Sequence, residues 1–254
     1  MVVERLPQAA TKQEKFQRRR RMIQRHGLAR TLNKLLYNWV RSRVLASSSA
    51  ESIKDHFFPG SSDARYARSV ESVTVGNIND AACVEFIKRQ EPDVLAVCGT
   101  TVIRQEVFSL PPKGTVNIHT GITPEYRSAD PIFWALYRNQ PGKVGVTIHY
   151  VDKGIDTGPI IHQESIPVYR GDTLTSLYVR CIRLGAVLYM RTLYEIETGS
   201  VRTKDRSSIT SRAFYSIDLG IVQFLLFQWR FWRLSAKLPV LPQTEAGQAS
   251  KEGR

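Results

Sequence analysis

The sequence predicts an α/β fold, because strand-like and helix-like patterns alternate along it. Residues 93–99, DVLAVCG, form a continuous apolar run closed by glycine, the pattern of a parallel strand buried on both faces. Residues 115–119, TVNIH, are a β-branched run that ends in polar residues. The stretch after Asp172 and Thr173 carries Leu174, Leu177, Val179, Ile182, Leu184, Leu188 and Leu193 at helical spacing, with Gly199 placed as the glycine that follows a helix C-terminus. At 254 residues and 42% hydrophobic, the chain can hold one full domain with a real core, plus appendages.

The other elements follow in order. Residues 1–6 read as the end of a strand. Residues 12–45 read as a basic helix or pair of helices with an apolar stripe of Leu28, Leu32, Leu35, Leu36 and Trp39. The Ser-rich 46–69 stretch, with Pro59-Gly60, reads as loop. A short strand spans 70–75, and Asn79 or Asp80 starts a helix to about Gln90 with Ala82, Phe86 and Ile87 inward. A helix is expected over 129–139, with Pro131 in its first turn. Strands are expected over 144–151 and 160–168, joined by a turn with two glycines, Gly154 and Gly158. Residues 219–238 are apolar and aromatic, too interrupted to span a membrane, and suited either to an interface or to docking on their own domain or a second subunit. Residues 242–254 read as disordered.

The formal charge is +13, concentrated in 12–43 and from Arg202 onward. Such charge fits nucleic acid, anionic lipid, an anionic substrate, or only a solvated helix face. No known nucleic-acid motif accompanies it, so nucleic acid is not an expected partner. The three cysteines, Cys83, Cys98 and Cys181, are far apart in apolar contexts and read as buried free thiols of a reducing compartment. The N-terminal residues lack the apolar core of a secretory leader, and no apolar run is long enough for a membrane span. The expectation is a cytoplasmic protein, with 219–238 as a candidate for peripheral contact at the inner membrane surface or for self-association.

Asn117 and His119 sit one pleat apart at the end of a strand and point the same way. In open α/β sheets ligands lie beyond the carboxyl ends of the strands. An amide and an imidazole there suit an oxygen that gains negative charge. Asp156, in the turn DKGIDTGP at 152–159, is the candidate proton carrier, flanked by glycines that would let backbone approach a ligand. A carboxylate beside the imidazole would raise the histidine's pKa. A satisfied structural histidine fits the same pattern, as does, less well, a metal-dependent hydrolase using His119, Asp156 and His149. His26, His56 and His162 show no partner pattern.

Five blocks in order carry a resemblance. They are Asn117-Ile-His119; Pro124-Glu-Tyr126-Arg127; Pro131-Ile-Phe-Trp134-Ala135; Gly145-Val-Thr147-Ile-His149; and Asp152-Lys-Gly154-Ile-Asp156-Thr-Gly158-Pro-Ile. They resemble the 10-formyltetrahydrofolate-dependent formyltransferase family, which includes methionyl-tRNA, glycinamide ribonucleotide and sugar N-formyltransferases. Weaker similarity extends over about 70–199. The resemblance implies a three-layer, Rossmann-like open sheet of mostly parallel strands, here lacking its first strand–helix unit. It implies an N-terminal remnant with a basic helical segment and loop over 1–69, a catalytic core over 70–205, and a basic, aromatic tail over 206–254.

The resemblance also implies a reaction. Asn117 and protonated His119 would hold the oxyanion as an acceptor amine attacks the formyl carbon, and Asp156 would orient His119 and help move the proton. Gly99, Thr100, Thr101, Val102, Ile103, Asp152, Gly154 and Ile155 would hold the folate co-substrate, with no metal. Thr120, Gly121 and Arg127 would lie near the acceptor, and Thr147 and His149 would brace the reacting residues from behind. Thr120-Gly121 stand where the family often has Pro-Ser, and Ser128 where it has glycine, so the departures fall on acceptor recognition. The tail is too short and too helical for the β-type domain of the methionyl-tRNA enzyme. The phosphate-holding loop of the purine-biosynthesis enzyme and the regulatory domain of the deformylating relatives are not found. The expected acceptor is a small anionic amine such as a nucleotide-linked amino sugar. The alternative is a non-catalytic basic protein that binds RNA or membrane on a degenerate transferase scaffold.

Overall fold

The computed structural model describes residues 1–4, 11–45, 70–127, 129–204 and 213–240. The loop expected over 46–69 and the disordered end expected over 242–254 lie outside the described residues, as do His56 and Ser128. The α/β class is borne out. The chain runs β1 (Val2–Glu4), α1 (Lys12–His26), α2 (Leu28–Val40), β2 (Val73–Val75), α3 (Ala81–Gln90), β3 (Leu95–Cys98), α4 (Gln105–Phe108), β4 (Thr115–His119), α5 (Pro131–Tyr137), β5 (Gly145–Tyr150), β6 (Ile160–Ser165), α6 (Leu174–Glu197) and α7 (Ile221–Ser235). β1 and β2 pair in parallel, and so do β3 and β4. The second sheet has the order β3-β4-β5-β6, and its last two pairings are antiparallel.

Helix ends follow local chemistry. Thr11 and Glu14 close α1 with a reciprocal capping box, and Gly27, at φ 81°, separates α1 from α2. Thr173 caps α6 by accepting from the Ser176 amide at 3.0 Å. Gly199 follows α6 at φ 67°, as expected of a helix-terminating glycine. Asp80 starts α3, but its side chain does not cap that helix; its carboxylate accepts from the Asn77 amide at 2.9 Å instead.

Three apolar clusters hold the fold. One joins α5, α6 and α7 through Phe133, Trp134, Leu136, Leu177, Cys181 and Phe227. A second joins the sheet to α6 through Val116, Val146, Ile148, Leu188 and Ile196. A third lies under α3, with Val75, Cys83, Ile87 and Val107. Each fully buried side chain of this size contributes ~1.5–3 kcal/mol. Gly185 lets α6 lie close on the sheet: a Cβ there would sit 3.0 Å from Ile118 Cγ2 and 3.2 Å from Val146 Cγ2.

Several expectations need correction. On α2, Leu28, Leu32, Leu36 and Trp39 are exposed, while Thr31, Lys34 and Tyr37 face inward. Polar contacts set that orientation. Lys34 Nζ donates to the Leu219 carbonyl at 3.0 Å, and Asn33 Oδ1 accepts from the Val222 amide at 3.0 Å, satisfying a first-turn N–H of α7. Arg30 also pairs with Asp218. On α3 the inward residue is Cys83, and Ala82 is exposed. Cys98 is exposed, not buried, and so is Ala96. Among the described residues β3 is the outer strand of its sheet, and its last two residues, Val97 and Cys98, line the cleft described below. α7 docks on its own domain through Phe227 and Leu234, with the Phe227 and Phe133 rings 4.7 Å apart. Among the described residues, no helix is long and apolar enough to cross a membrane.

Candidate active site

Pairing of β4 with β5 assembles the floor of the site. The register sets Asn117 opposite His149 and His119 opposite Thr147. Residues alternate faces on both strands, so all four side chains point to the same side. The loop after β5 then carries Asp156 over them. Asp156 has φ 49°, a left-handed conformation that costs a non-glycine residue ~1–2 kcal/mol.

Hydrogen bonds decide which ring nitrogens carry protons. His119 Nε2 lies 2.7 Å from the Tyr126 carbonyl oxygen. A carbonyl only accepts, so Nε2–H donates there, and Nδ1 bears the lone pair when the ring is neutral. That Nδ1 is 3.5 Å from Asp156 Oδ2. His149 Nδ1 lies 2.8 Å from the Tyr150 carbonyl, so its Nε2 is the acceptor for Asn117 Nδ2 at 3.3 Å. One Asn117 N–H is thereby held, which fixes the plane of an amide that lines the cleft. Asp156 Oδ1 is 3.6 Å from His149 Nε2, so the carboxylate spans both imidazoles.

Burial dominates the His119 ring and lowers its pKa; the Asp156 carboxylate and the Tyr126 carbonyl oppose that without overcoming it. The ring is therefore held neutral, contrary to the raised pKa and protonated ring expected from a carboxylate neighbour alone. A neutral Nδ1 and a carboxylate, 3.5 Å apart, are two acceptors facing one point. A proton, or an N–H donor placed between them, satisfies both.

Supporting contacts surround this centre. Thr147 Oγ1 donates to the Gly121 carbonyl at 2.6 Å and accepts from Gln163 Nε2 at 3.0 Å. Asp152 Oδ1 accepts from the Gly154 amide at 3.0 Å and from Thr157 Oγ1 at 2.5 Å, so this carboxylate shapes its own loop. The glycines in this loop serve packing within it. A Cβ at Gly158 would sit 1.8 Å from the Tyr150 carbonyl oxygen, and one at Gly154 would sit 1.8 Å from Thr157 Oγ1. The loop after β3 is tied to the first strand, because Glu4 accepts from Thr101 N at 2.9 Å and from Thr101 Oγ1 at 2.7 Å. Burial works against the Glu4 charge, but the bonds from Thr101 and Ile78 outweigh it and hold the carboxyl below its ordinary value.

These parts enclose a cleft of about 340 Å³. Every residue expected to hold folate lines it: Gly99, Thr100, Thr101, Val102 and Ile103 on one side, Asp152, Gly154 and Ile155 on the other. Asn117, His119, Thr120, His149 and Asp156 line it too. Gly121 and Arg127 do not. Gly121 is packed behind His119, and the Arg127 carbonyl accepts from the Phe214 amide at 3.2 Å. Sequence reading missed Tyr178 and Ile182, which α6 contributes to the wall, and Cys98. Ile182 was read only as a core position; its helical spacing carries no sign of a cleft. Sequence reading also missed a partner for His162, whose Nε2 lies 2.9 Å from Glu195 Oε2 on α6. Among the described residues, no group of three potential ligands is arranged to hold a metal ion.

A formyl transferase family model matches residues 45–193. The chain belongs to the formyl transferase family. The methionyl-tRNA formyltransferase of Syntrophus aciditrophicus (strain SB) is 34% identical over 138 residues, covering 54% of this chain and 44% of that protein. The methionyl-tRNA formyltransferase of Koribacter versatilis (strain Ellin345) is 39% identical over 111 residues, covering 43% and 35%. The chain thus spans less than half the length of these curated relatives. Among solved structures, the formyltransferase PseJ from Anoxybacillus kamchatkensis, in complex with UDP-4,6-dideoxy-4-formamido-L-AltNAc and tetrahydrofolate, is 26% identical at a TM-score of 0.50, covering 58% of this chain and 76% of that one. A sugar N-formyltransferase from Shewanella sp FDAARGOS_354 shares the fold at 20% identity and a TM-score of 0.51, covering 63% and 67%.

Proposed function

We propose that this chain transfers a formyl group from 10-formyltetrahydrofolate to the amine of an anionic acceptor, of the nucleotide-linked amino-sugar class. One observation carries the reading: Asp156 lies within 3.6 Å of both His119 and His149, and His149 in turn holds the Asn117 amide. The cleft also suits a flat heterocycle. Val102, Ile103, Ile155, Tyr178 and Ile182 supply apolar walls, and the loops after β3 and β5 border them.

The residues divide the work by their protonation. Asn117 offers its second N–H to the formyl oxygen as that oxygen becomes negative. The neutral His119 Nδ1 and the Asp156 carboxylate converge where the attacking amine sheds its proton, and one of them accepts it. That proton then passes to the folate N10 as the bond from N10 to the formyl carbon breaks, giving the formamide and tetrahydrofolate. Tyr126, through its carbonyl, keeps His119 Nδ1 as the accepting nitrogen throughout. The acceptor class rests on the surplus positive charge and on the UDP-sugar held by the PseJ relative.

The test is calorimetric binding of 5-formyltetrahydrofolate, a stable stand-in for the donor, followed by turnover with a panel of nucleotide-linked amino sugars. Wild type should bind. Asp156→Asn should retain folate binding yet lose ~10²–10⁴-fold in turnover, and Asn117→Ala ~10²–10³-fold. A folded wild type that ignores folate, or turnover indifferent to Asp156→Asn, defeats the proposal.

A further inference from the structure

α7 buries one face and leaves the other bare. Val222, Leu225, Leu226, Trp229 and Trp232 recur at helical spacing along its outer side, with Trp232 73% exposed and Leu225 60% exposed. Beside that stripe runs a groove of about 550 Å³, bordered by Arg138, Arg230, Arg233 and Lys237 together with Trp229 and Trp232. Residues 219–240 contain no Asp or Glu. Among the described residues none of these four cations forms an ion pair with a carboxylate. Arg230 lies over the Tyr137 ring at 4.5 Å and donates to the Tyr137 carbonyl, and Arg233 lies over Trp229 at 4.7 Å. The charges are thus held at the edge of the apolar stripe.

We propose that the outer face of α7 docks this protein on an anionic phospholipid surface, with the tryptophans and leucines at the acyl boundary and the cations among the headgroups. Apolar and cationic groups are arranged as an interfacial helix requires, tryptophan at headgroup depth and arginine beside it. A second copy of the chain fits less well. A two-fold contact would set the same four cations against one another, with no acid on the patch to pair with them. A soluble phosphate would satisfy the cations and leave the stripe in water.

The experiment is cosedimentation of the protein with vesicles of phosphatidylcholine alone and of phosphatidylcholine with roughly one-third phosphatidylglycerol. Binding is expected to the anionic vesicles only, and to weaken as salt rises. Arg233→Gln with Lys237→Gln should lower it about thirtyfold, and Trp229→Ala with Trp232→Ala by a similar or larger factor. Both pairs of residues are exposed, and circular dichroism and 5-formyltetrahydrofolate binding check that the variants remain folded. Failure to bind anionic vesicles, equal binding to neutral ones, or variants that bind like wild type each overturn the proposal. So does a wild-type dimer that the tryptophan substitutions dissociate, with no vesicle binding at all.

Discussion

Replacing Gly121, which does not itself line the cleft, with alanine should disarm His119. A Cβ at this position would sit 2.5 Å from Pro131 Cβ, 2.6 Å from the Tyr126 carbonyl oxygen and 2.7 Å from His119 Nε2. Carbon contacts are relaxed at ~3.5–4.0 Å, so the methyl overlaps its neighbours by about 1 Å on three sides. Pro131 begins α5 and Tyr126 is fully buried, so neither backbone can yield easily. The imidazole is the movable part, and its movement breaks the bond from Nε2 to Tyr126. Overpacking costs ~1–3 kcal/mol. A buried hydrogen bond lost without replacement costs ~1–3 kcal/mol. The two partly substitute for each other, so a loss of about 3 kcal/mol is expected, a large share of a typical domain's ~5–15 kcal/mol. Urea unfolding followed by circular dichroism should show a lower midpoint at an unchanged slope. The imidazole ¹⁵N spectrum should show that Nε2 no longer holds the proton exclusively. A stability loss under ~0.5 kcal/mol with an unaltered imidazole spectrum would refute both the packing and the tautomer assignment.

Two further predictions follow. Burial lowers the His119 pKa below the ordinary 6.5, so between that value and the folded pKa the unfolded chain binds the extra proton; His119's contribution to stability is complete above about pH 6.5 and is lost as pH falls. Urea midpoints for wild type should therefore drop from about pH 8 to about pH 5 more steeply than those of His119→Gln, and parallel curves would show that burial does not govern this ring. Glu4→Gln should loosen the loop after β3, because the carboxylate that accepts from Thr101 N and Thr101 Oγ1 is replaced by a weaker acceptor. Hydrogen exchange at the Thr101 amide should quicken by about tenfold, whereas unchanged protection would show that Glu4 does not brace the loop.

Much of the site was legible because its determinants are local. Asn117 and His119 share a face through strand alternation alone, and the 152–159 turn follows the strand that must pair beside them. The placement of β4 and the two ends of α6 were likewise readable, since β-branched runs, a threonine cap and a terminating glycine act within a few residues. Orientation was harder. The stripe on α2 announced an amphipathic helix but not which side turns inward, and polar contacts from Lys34, Asn33 and Arg30 to residues nearly 190 positions away settled it against the apolar face. Cys98 read as buried because its neighbours are apolar, yet β3 lies at the edge of its sheet.

From the sequence alone came the α/β class, the membership that five ordered blocks imply, and the identity of the residues that meet at the end of β4. The protonation of those residues came from the tertiary structure. The Tyr126 and Tyr150 carbonyls assign the hydrogens of the two imidazoles, and burial keeps His119 neutral beside a carboxylate. Gly121 changes from an expected acceptor contact to the packing that allows the His119 bond. The physical reason is range. Backbone periodicity and capping are written over a few residues, whereas desolvation and hydrogen-bond geometry depend on every group brought within a few ångströms by the whole fold.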